Sequence, residues 1–279
     1  MMKTRIALST AVGISLFMMP CVAHGQWNSR TYQVTFTAEW SAATHPTSFP
    51  PSPHFSGVVG GVHNSSTKLW EDGQLASPGI KSMAETGSKT QLLQEVNAMI
   101  GAGSALHAVS GSGIGLSPGS LTFQIEVRDD YPLVTIVSMI APSPDWFVGT
   151  ESLNLRPNGH WESEIVVDLF PWDAGTDTGA NYTSANQATV PPVLISSLQG
   201  TSPFVGSPRL GTMTFTDLGY ASGQCYPDCD TSAALNVFDY ICFGNAYANL
   251  DPYVDCDQNG SLNIFDYICF GNAYANGCN

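Results

Sequence analysis

The chain has 279 residues and a formal net charge of −14, and only 11% of its residues are charged. A chain this acidic repels nucleic acid and anionic lipid at long range, so nucleic acid is not expected as a partner, and the chain should attract cations. The low charge content, together with 27 glycines and 18 prolines, favours an extracellular, turn-rich β fold over a cytosolic helical enzyme.

Residues 1–25 have the pattern of a secretory signal peptide. A basic start is followed by an apolar run from Ile6 to Met19 and by the small-x-small sequence Ala23-His24-Gly25. The apolar run is shorter than the roughly 20 residues of a membrane span. Removal of this segment leaves a secreted chain of charge 7 − 23 = −16, with no other stretch apolar enough to be a transmembrane segment.

Residues 26–218 are predicted to form a mainly β domain. The alternation of Tyr32, Val34 and Phe36 indicates a strand with one buried face. A single helix is predicted at Lys89–Ile100, from apolar residues at helical spacing. Many short strands with one helix favour an antiparallel β-sandwich. Further strands are predicted at Ser120–Val127, Leu133–Ala141, Glu162–Leu169 and Leu210–Leu218.

Two loops at predicted strand ends place aspartates among glycines and prolines. The first reads PSPDWFVG from Pro142, and the second reads DLFPWDAGTDTG from Asp168. Loops at one end of a sandwich can converge, and three carboxylates there suit a hard cation such as calcium. Aspartates that only stabilise turns would give the same pattern, so the residues alone leave both interpretations open. Trp146 and Trp172, in the same loops, are interpreted as packing residues.

These two loops resemble the paired motifs of the spondin domain, the N-terminal module of the F-spondin and mindin proteins. The segments YQVTFTAEWS, HFSGVVGGVHN and ATVPP extend the resemblance over residues 26–218. The resemblance implies an antiparallel β-sandwich with a calcium ion among its loops, held by Asp145, Asp173 and Asp177. It also implies an extracellular adhesion or matrix role, with an extracellular protein or glycan as the ligand.

After a linker at residues 219–227, residues 228–279 are predicted to form a second, cysteine-rich unit. An even number of cysteines confined to a short part of a secreted chain indicates disulfide bonds. Six cysteines allow many pairings, and the sequence does not choose among them. Zinc binding is the rival interpretation. The six are Cys225, Cys229, Cys242, Cys256, Cys269 and Cys278.

The cysteine-rich unit contains a tandem duplication. The sequence FDYICFGNAYAN occurs from Phe238 and again from Phe265, an offset of 27 residues. Each copy also contains a twelve-residue loop with oxygen-bearing side chains at the spacing that calcium requires. The predicted ligands are Asp255, Asp257, Asn259, Ser261, Asn263 and Asp266 in the second loop, and Asp228, Asp230, Ser232, Asn236 and Asp239 in the first.

The two loops differ at the position of their sharpest turn. Gly260 occupies the sixth position of the second loop, whereas Ala233 occupies it in the first. Because a left-handed turn strains any residue with a Cβ atom, we expect the first loop to bind calcium more weakly. Ordinary polar turns are the alternative interpretation of both loops.

The two loop–helix units resemble a type I dockerin domain over Asp228–Asn279, because dockerins keep Asp at the twelfth loop position. One helix face is predicted to be buried against the other unit, formed by Phe265, Ile268, Cys269 and Phe270. The resemblance implies docking to a cohesin-like domain on another protein. An anchoring or purely structural role is an equal alternative.

Enzyme motifs such as the P-loop and H-E-x-x-H do not occur in the sequence. Glu126, Asp129 and Asp130 could supply an acid pair for glycoside hydrolysis. The sequence therefore predicts a secreted, calcium-binding, non-catalytic adhesion or matrix protein, and the alternative is a dockerin-bearing extracellular hydrolase acting on polysaccharide.

Overall fold

The computed structural model describes residues 29–221, 225–230, 232, 234–257 and 259–277. The predicted signal peptide at residues 1–25 lies outside the described residues. Within the described ranges, no helix has the length and apolar character needed to cross a bilayer. The strands there are β1 (Ser29–Ala38), β2 (His54–Phe55), β3 (Val59–His63), β4 (Ala105–Ser110), β5 (Gly119–Arg128), β6 (Leu133–Ala141), β7 (Trp146–Gly149), β8 (Leu153–Asn154), β9 (Glu164–Leu169), β10 (Trp172–Asp173), β11 (Ser196–Ser197) and β12 (Gly211–Tyr220).

The first sheet has four antiparallel strands in the order β5-β1-β12-β9. Tyr32, Val34 and Phe36 of β1 are fully buried, while the residues between them are partly exposed. This alternation arises because only one face of the sheet covers the core. The predicted strands near β1, β5, β6, β9 and β12 are all present, with ends displaced by at most a few residues.

The second sheet follows the order β11-β10-β7-β6-β3-β4, and β2 and β8 also pair with β6. Beyond its first residue β6 is buried throughout. Its apolar run lacks alternation because both of its faces are covered, one by the first sheet and the other by two helices. The two stacked antiparallel sheets agree with the predicted β-sandwich.

The prediction of a single helix in the sandwich is wrong. Helix α2 (Thr90–Gly101) corresponds to the predicted one, but α1 (Pro78–Thr86) precedes it. The Ser77 side chain accepts a hydrogen bond from the Ile80 N–H at 3.1 Å, and Gly87 ends the helix with a φ of 68°. These are ordinary start and stop signals, whereas the nine residues between them are too few for a clear helical period.

The tail contains two helices, α3 (Val237–Ala248) and α4 (Ile264–Asn276). They meet through Phe243 and Phe270, whose rings stack 4.1 Å apart. The prediction that Phe265 and Ile268 are buried is wrong, since they are 63% and 52% exposed. The Asp266 carboxylate accepts hydrogen bonds from backbone N–H groups of its own loop, so this face of α4 points inward. Phe270 lies one turn later on the same face and is therefore the buried residue.

Each copy in the tail has its own disulfide, Cys229–Cys242 in the first and Cys256–Cys269 in the second. Cys225 is also disulfide-bonded, and Cys278 lies outside the described residues. Sulfurs bonded to one another are not available as thiolate ligands, so the zinc interpretation is wrong for these five cysteines. Tyr226, which falls in the predicted linker, belongs to the tail core.

Candidate metal centres

The first candidate centre lies where β7 and β10 pair. Asp145 immediately precedes β7, and the pairing sets Asp173 opposite Trp146. The turn that follows β10 folds back over Asp145, because the Ala174 N–H donates to the Asp145 carbonyl oxygen at 3.1 Å. The same turn carries Asp177. The structure thus brings the three predicted aspartates of the sandwich into one loop cluster.

Asp145 is fully buried, and its two carboxylate oxygens have different surroundings. Oδ2 accepts hydrogen bonds from the Thr176 N–H at 2.6 Å, the Asp177 N–H at 3.0 Å and the Thr176 hydroxyl at 3.2 Å. Oδ1 is buried and accepts none. A buried carboxylate oxygen without a donor is costly, so this oxygen suits a cation bound beside it.

The raised pKa of Asp145 also suits a cation beside its buried oxygen. Burial, together with the negative charge of Asp173, raises the pKa of Asp145 to about 6, although the two backbone donors lower it. Burial also raises the pKa of Asp173. Carboxylates held this close without a counter-charge are destabilised in their ionised form. A cation would remove that repulsion.

Asp173 and Asp177 also stabilise the turn. Asp173 Oδ1 accepts from the Gly175 N–H at 2.7 Å, and Asp177 accepts from the Gln187 N–H at 3.1 Å. Gly175 has a φ of 74°, and a Cβ atom there would lie 2.3 Å from the Val193 carbonyl oxygen. Because a carboxylate can accept about four bonds, turn-forming and metal-binding roles are compatible in the same residues.

The tail contains two tighter acidic clusters. In the second loop Asp255, Asp257 and Asp266 each place one oxygen within 4.8 Å of the others. The N–H of Asn259 donates to Asp255 Oδ1 at 3.1 Å, and that of Gly260 donates to Asp255 Oδ2 at 3.0 Å. Gly260 has a φ of 79°, as its place at the sharp turn predicts.

The first loop repeats this arrangement. Asp228, Asp230 and Asp239 form a cluster of the same kind. The Ser232 N–H donates to Asp228 Oδ1 at 3.0 Å, as the Asn259 N–H does to Asp255 Oδ1 in the second loop. Ala233 lies outside the described residues. Within the described parts of the chain, only these two tail triads bring three such oxygens within 4.8 Å of one another, so the sandwich aspartates form a more open group.

Four predicted ligands also cap the two tail helices. Asn236 and Asn263 are the N-cap residues of α3 and α4, where their side chains accept from Phe238 and Phe265 N–H groups, both at 2.8 Å. Asp239 and Asp266 complete the capping boxes. Asn259 and Ser261 lie exposed in the second loop.

Two of the three acidic residues considered for glycoside chemistry pair with arginines. Asp130 forms two hydrogen bonds with Arg128, and Asp129 lies 3.2 Å from Arg156. Each of these carboxylates therefore has its own arginine. A surface cleft of about 250 Å³ is lined by other residues, among them Trp70 and Trp172.

His160 is a candidate that sequence reasoning missed. It lies in the sandwich, yet its Nδ1 is 3.5 Å from Asp255 Oδ2 in the second tail loop. The two residues are far apart in sequence, and a lone histidine in a loop carries no pattern that would predict the contact.

The fold and its loops define a two-module protein, an antiparallel β-sandwich with a buried aspartate cluster joined to a disulfide-bonded tail with two acidic loops. The family model described as Spondin_N matches residues 30–207, and the chain belongs to that family. The chain is 36% identical to Spondin-2 of Rattus norvegicus and to Spondin-2 of Homo sapiens over 176 residues, and 34% identical to Spondin-1 of Mus musculus over 211 residues.

These matches have a limited extent. They cover 62% of this chain against spondin-2 and 71% against spondin-1, but only 53% and 25% of those relatives. The chain therefore spans about half of spondin-2 and a quarter of spondin-1. The spondin resemblance of the sandwich is confirmed, whereas the dockerin-like nature of the tail stays a prediction.

Proposed function

We propose that the protein is a secreted, non-catalytic, calcium-binding protein of the adhesion or matrix type. Its spondin sandwich would bind an extracellular protein or glycan, and its tail would attach it to a partner. Membership of the spondin family supports the extracellular class. The observation that carries the calcium proposal is the buried, unpartnered Oδ1 of Asp145 beside Asp173 and Asp177.

The donor chemistry of all three centres fits calcium. Carboxylate, amide, hydroxyl and carbonyl oxygens are the ligands that Ca²⁺ prefers, and each candidate centre offers several of them in a flexible loop. Binding in the tail would neutralise part of the charge in each triad. We therefore expect one site in the sandwich and two in the tail, the second loop being the tighter of the pair.

The tail also has a surface suited to attachment. Val237 and Phe238 begin α3 and are 63% and 62% exposed, and Ile264 and Phe265 begin α4 with 65% and 63% exposure. Exposed apolar pairs at equivalent places in two copies support a role in binding another protein. A cohesin-like domain is the partner that the dockerin resemblance implies, and an anchoring or structural role is the alternative.

Calorimetric titration of the full chain with calcium tests the metal proposal. Wild type should bind at more than one site, Asp145→Asn should lose the sandwich site, and Asp257→Asn should lose a tail site. Asp72→Asn, which removes an exposed carboxylate of the sandwich, is the matched control and should match wild type. Absence of heat in wild type, with no calcium-dependent change in melting temperature, would refute the proposal.

Attachment is tested by capture from an extracellular surface with and without a chelator. We expect the combined Phe238→Ala and Phe265→Ala variant to lose capture while it keeps calcium binding. Capture that survives both the chelator and this variant would contradict attachment through the tail. Turnover on a panel of polysaccharides would instead support the hydrolase alternative.

A further inference from the structure

One side chain of the sandwich lies directly against the second tail loop. His160 Nδ1 is 3.5 Å from Asp255 Oδ2, and a Cβ atom built on Gly260 would lie 3.1 Å from His160 Nε2. The imidazole ring therefore covers the first and the sixth positions of the loop together. A glycine at the sixth position leaves room for it.

The segment that carries His160 is fixed to the sandwich on both sides. Arg156 lies 3.2 Å from Asp129 and has its guanidinium 5.6 Å from the centre of the Trp161 ring. On the other side the Tyr32 hydroxyl donates to the Glu162 carbonyl oxygen at 2.5 Å. Because these anchors belong to the sandwich, His160 is presented to the tail from a defined position.

The oxygen that His160 approaches already accepts a hydrogen bond from the loop. Asp255 Oδ2 accepts from the Gly260 N–H at 3.0 Å, while Oδ1 accepts from the Asn259 N–H at 3.1 Å. With its proton on Nδ1, a neutral imidazole directs a donor toward Oδ2. The ring thus lies against the Asp255 carboxylate from outside the cluster formed with Asp257 and Asp266.

We propose that His160 is a positioning residue for the second calcium loop, so that the sandwich sets the calcium affinity of the tail. This inference rests on the proposed calcium function. Groups that orient a metal ligand from outside typically change metal affinity by about 10–100-fold. Coupling is reciprocal, so calcium in this loop strengthens the contact between tail and sandwich by the same factor.

The test measures calcium affinity of the second loop in the full chain, assigning that site as the one lost in Asp257→Asn. His160→Ala should raise its dissociation constant by about tenfold, and His160→Gln, which keeps a side-chain N–H donor, should restore most of the affinity. His54→Ala is the matched control, since His54 lies on β2 with its Nδ1 2.9 Å from the Ser52 carbonyl oxygen. It should leave every site unchanged.

A second measurement follows the contact itself. Calcium should slow proteolytic cleavage between sandwich and tail in wild type and in His160→Gln, but by a factor about tenfold smaller in His160→Ala. A loss of binding that is merely structural would not be rescued by glutamine and would lower the melting temperature of the calcium-free protein.

The outcomes separate the two proposals. If the second loop binds calcium equally well in wild type and in His160→Ala, the positioning role is overturned and the calcium function stands. If the second loop of wild type binds no calcium, that part of the proposed function fails and the inference fails with it.

Discussion

Replacing Asp145 by asparagine should stabilise the metal-free protein and abolish its response to calcium at the sandwich site. The side-chain carbonyl oxygen of the introduced asparagine can still accept from the Thr176 and Asp177 N–H groups that now bond Oδ2. The neutral amide also removes a buried charge whose pKa is raised from 3.8 to about 6. At about 1.36 kcal/mol per pKa unit, the ionised carboxylate costs the metal-free protein about 3 kcal/mol at pH 7.

This magnitude predicts that calcium offsets most of the difference in thermal stability between the variant and wild type. Without calcium the variant should melt roughly 6–12 °C above wild type, from about 2–4 °C per kcal/mol for a domain of this size. Calcium at about 100 times its dissociation constant should add about 2.7 kcal/mol to wild type and nothing through this site in the variant. Calorimetry in chelator and in calcium measures both, with Asp72→Asn as the control. A variant less stable than wild type in chelator would refute the reasoning, because the buried charge would then not be destabilising.

Three further predictions concern the tail and the contact region. Phe270→Ala should destabilise the tail by about 3–5 kcal/mol because the ring is fully buried, whereas Phe265→Ala on the exposed face should change stability by less than about 0.5 kcal/mol. Denaturant unfolding of the two variants measures both losses. Equal losses would contradict the assignment of Phe270 to the buried face of α4. Burial raises the pKa of Asp129 from 3.8 to about 6. The native state therefore binds this proton more tightly than the unfolded state, and the free energy of unfolding should fall as pH rises between those values. Asp129→Asn should reduce that fall by about 2–3 kcal/mol, and an unchanged dependence of stability on pH would contradict the assignment. Replacing both Cys256 and Cys269 by serine should cost about 3 kcal/mol, and a melting temperature equal to that of wild type would show that the bridge is dispensable.

The strands of the sandwich were the more predictable part because the number of buried faces sets the hydrophobic pattern of each strand. The alternation at Tyr32, Val34 and Phe36 has a period of two, which one buried face produces directly. Helix α1 was missed because Ile80, Met83 and Ala84 are too few apolar residues to establish a period. Its capping residues carried the available signal.

The tail shows where a repeat helps and where it does not. Identity between the copies predicts that the two loops share a structure, and both form an acidic triad. The repeated segment, however, is apolar on nearly every side, so periodicity does not select the buried face. That choice depends on Asp266, whose bonds to the loop orient the helix. The sequence also left the disulfide pairing undetermined, because the cysteine at position 2 of a loop could pair with the helix cysteine of either copy.

The position of each disulfide affects how its loop is ordered before any ion is present. Cys229 and Cys256 are both the second residue of their loops, and each is bonded to a helix residue of its own copy 13 positions later. A loop tethered at that point has fewer conformations to lose when it closes around a cation. Disulfide formation would therefore lower the entropy cost of ion binding, separately for each copy. A tail produced under reducing conditions should require more calcium to become ordered.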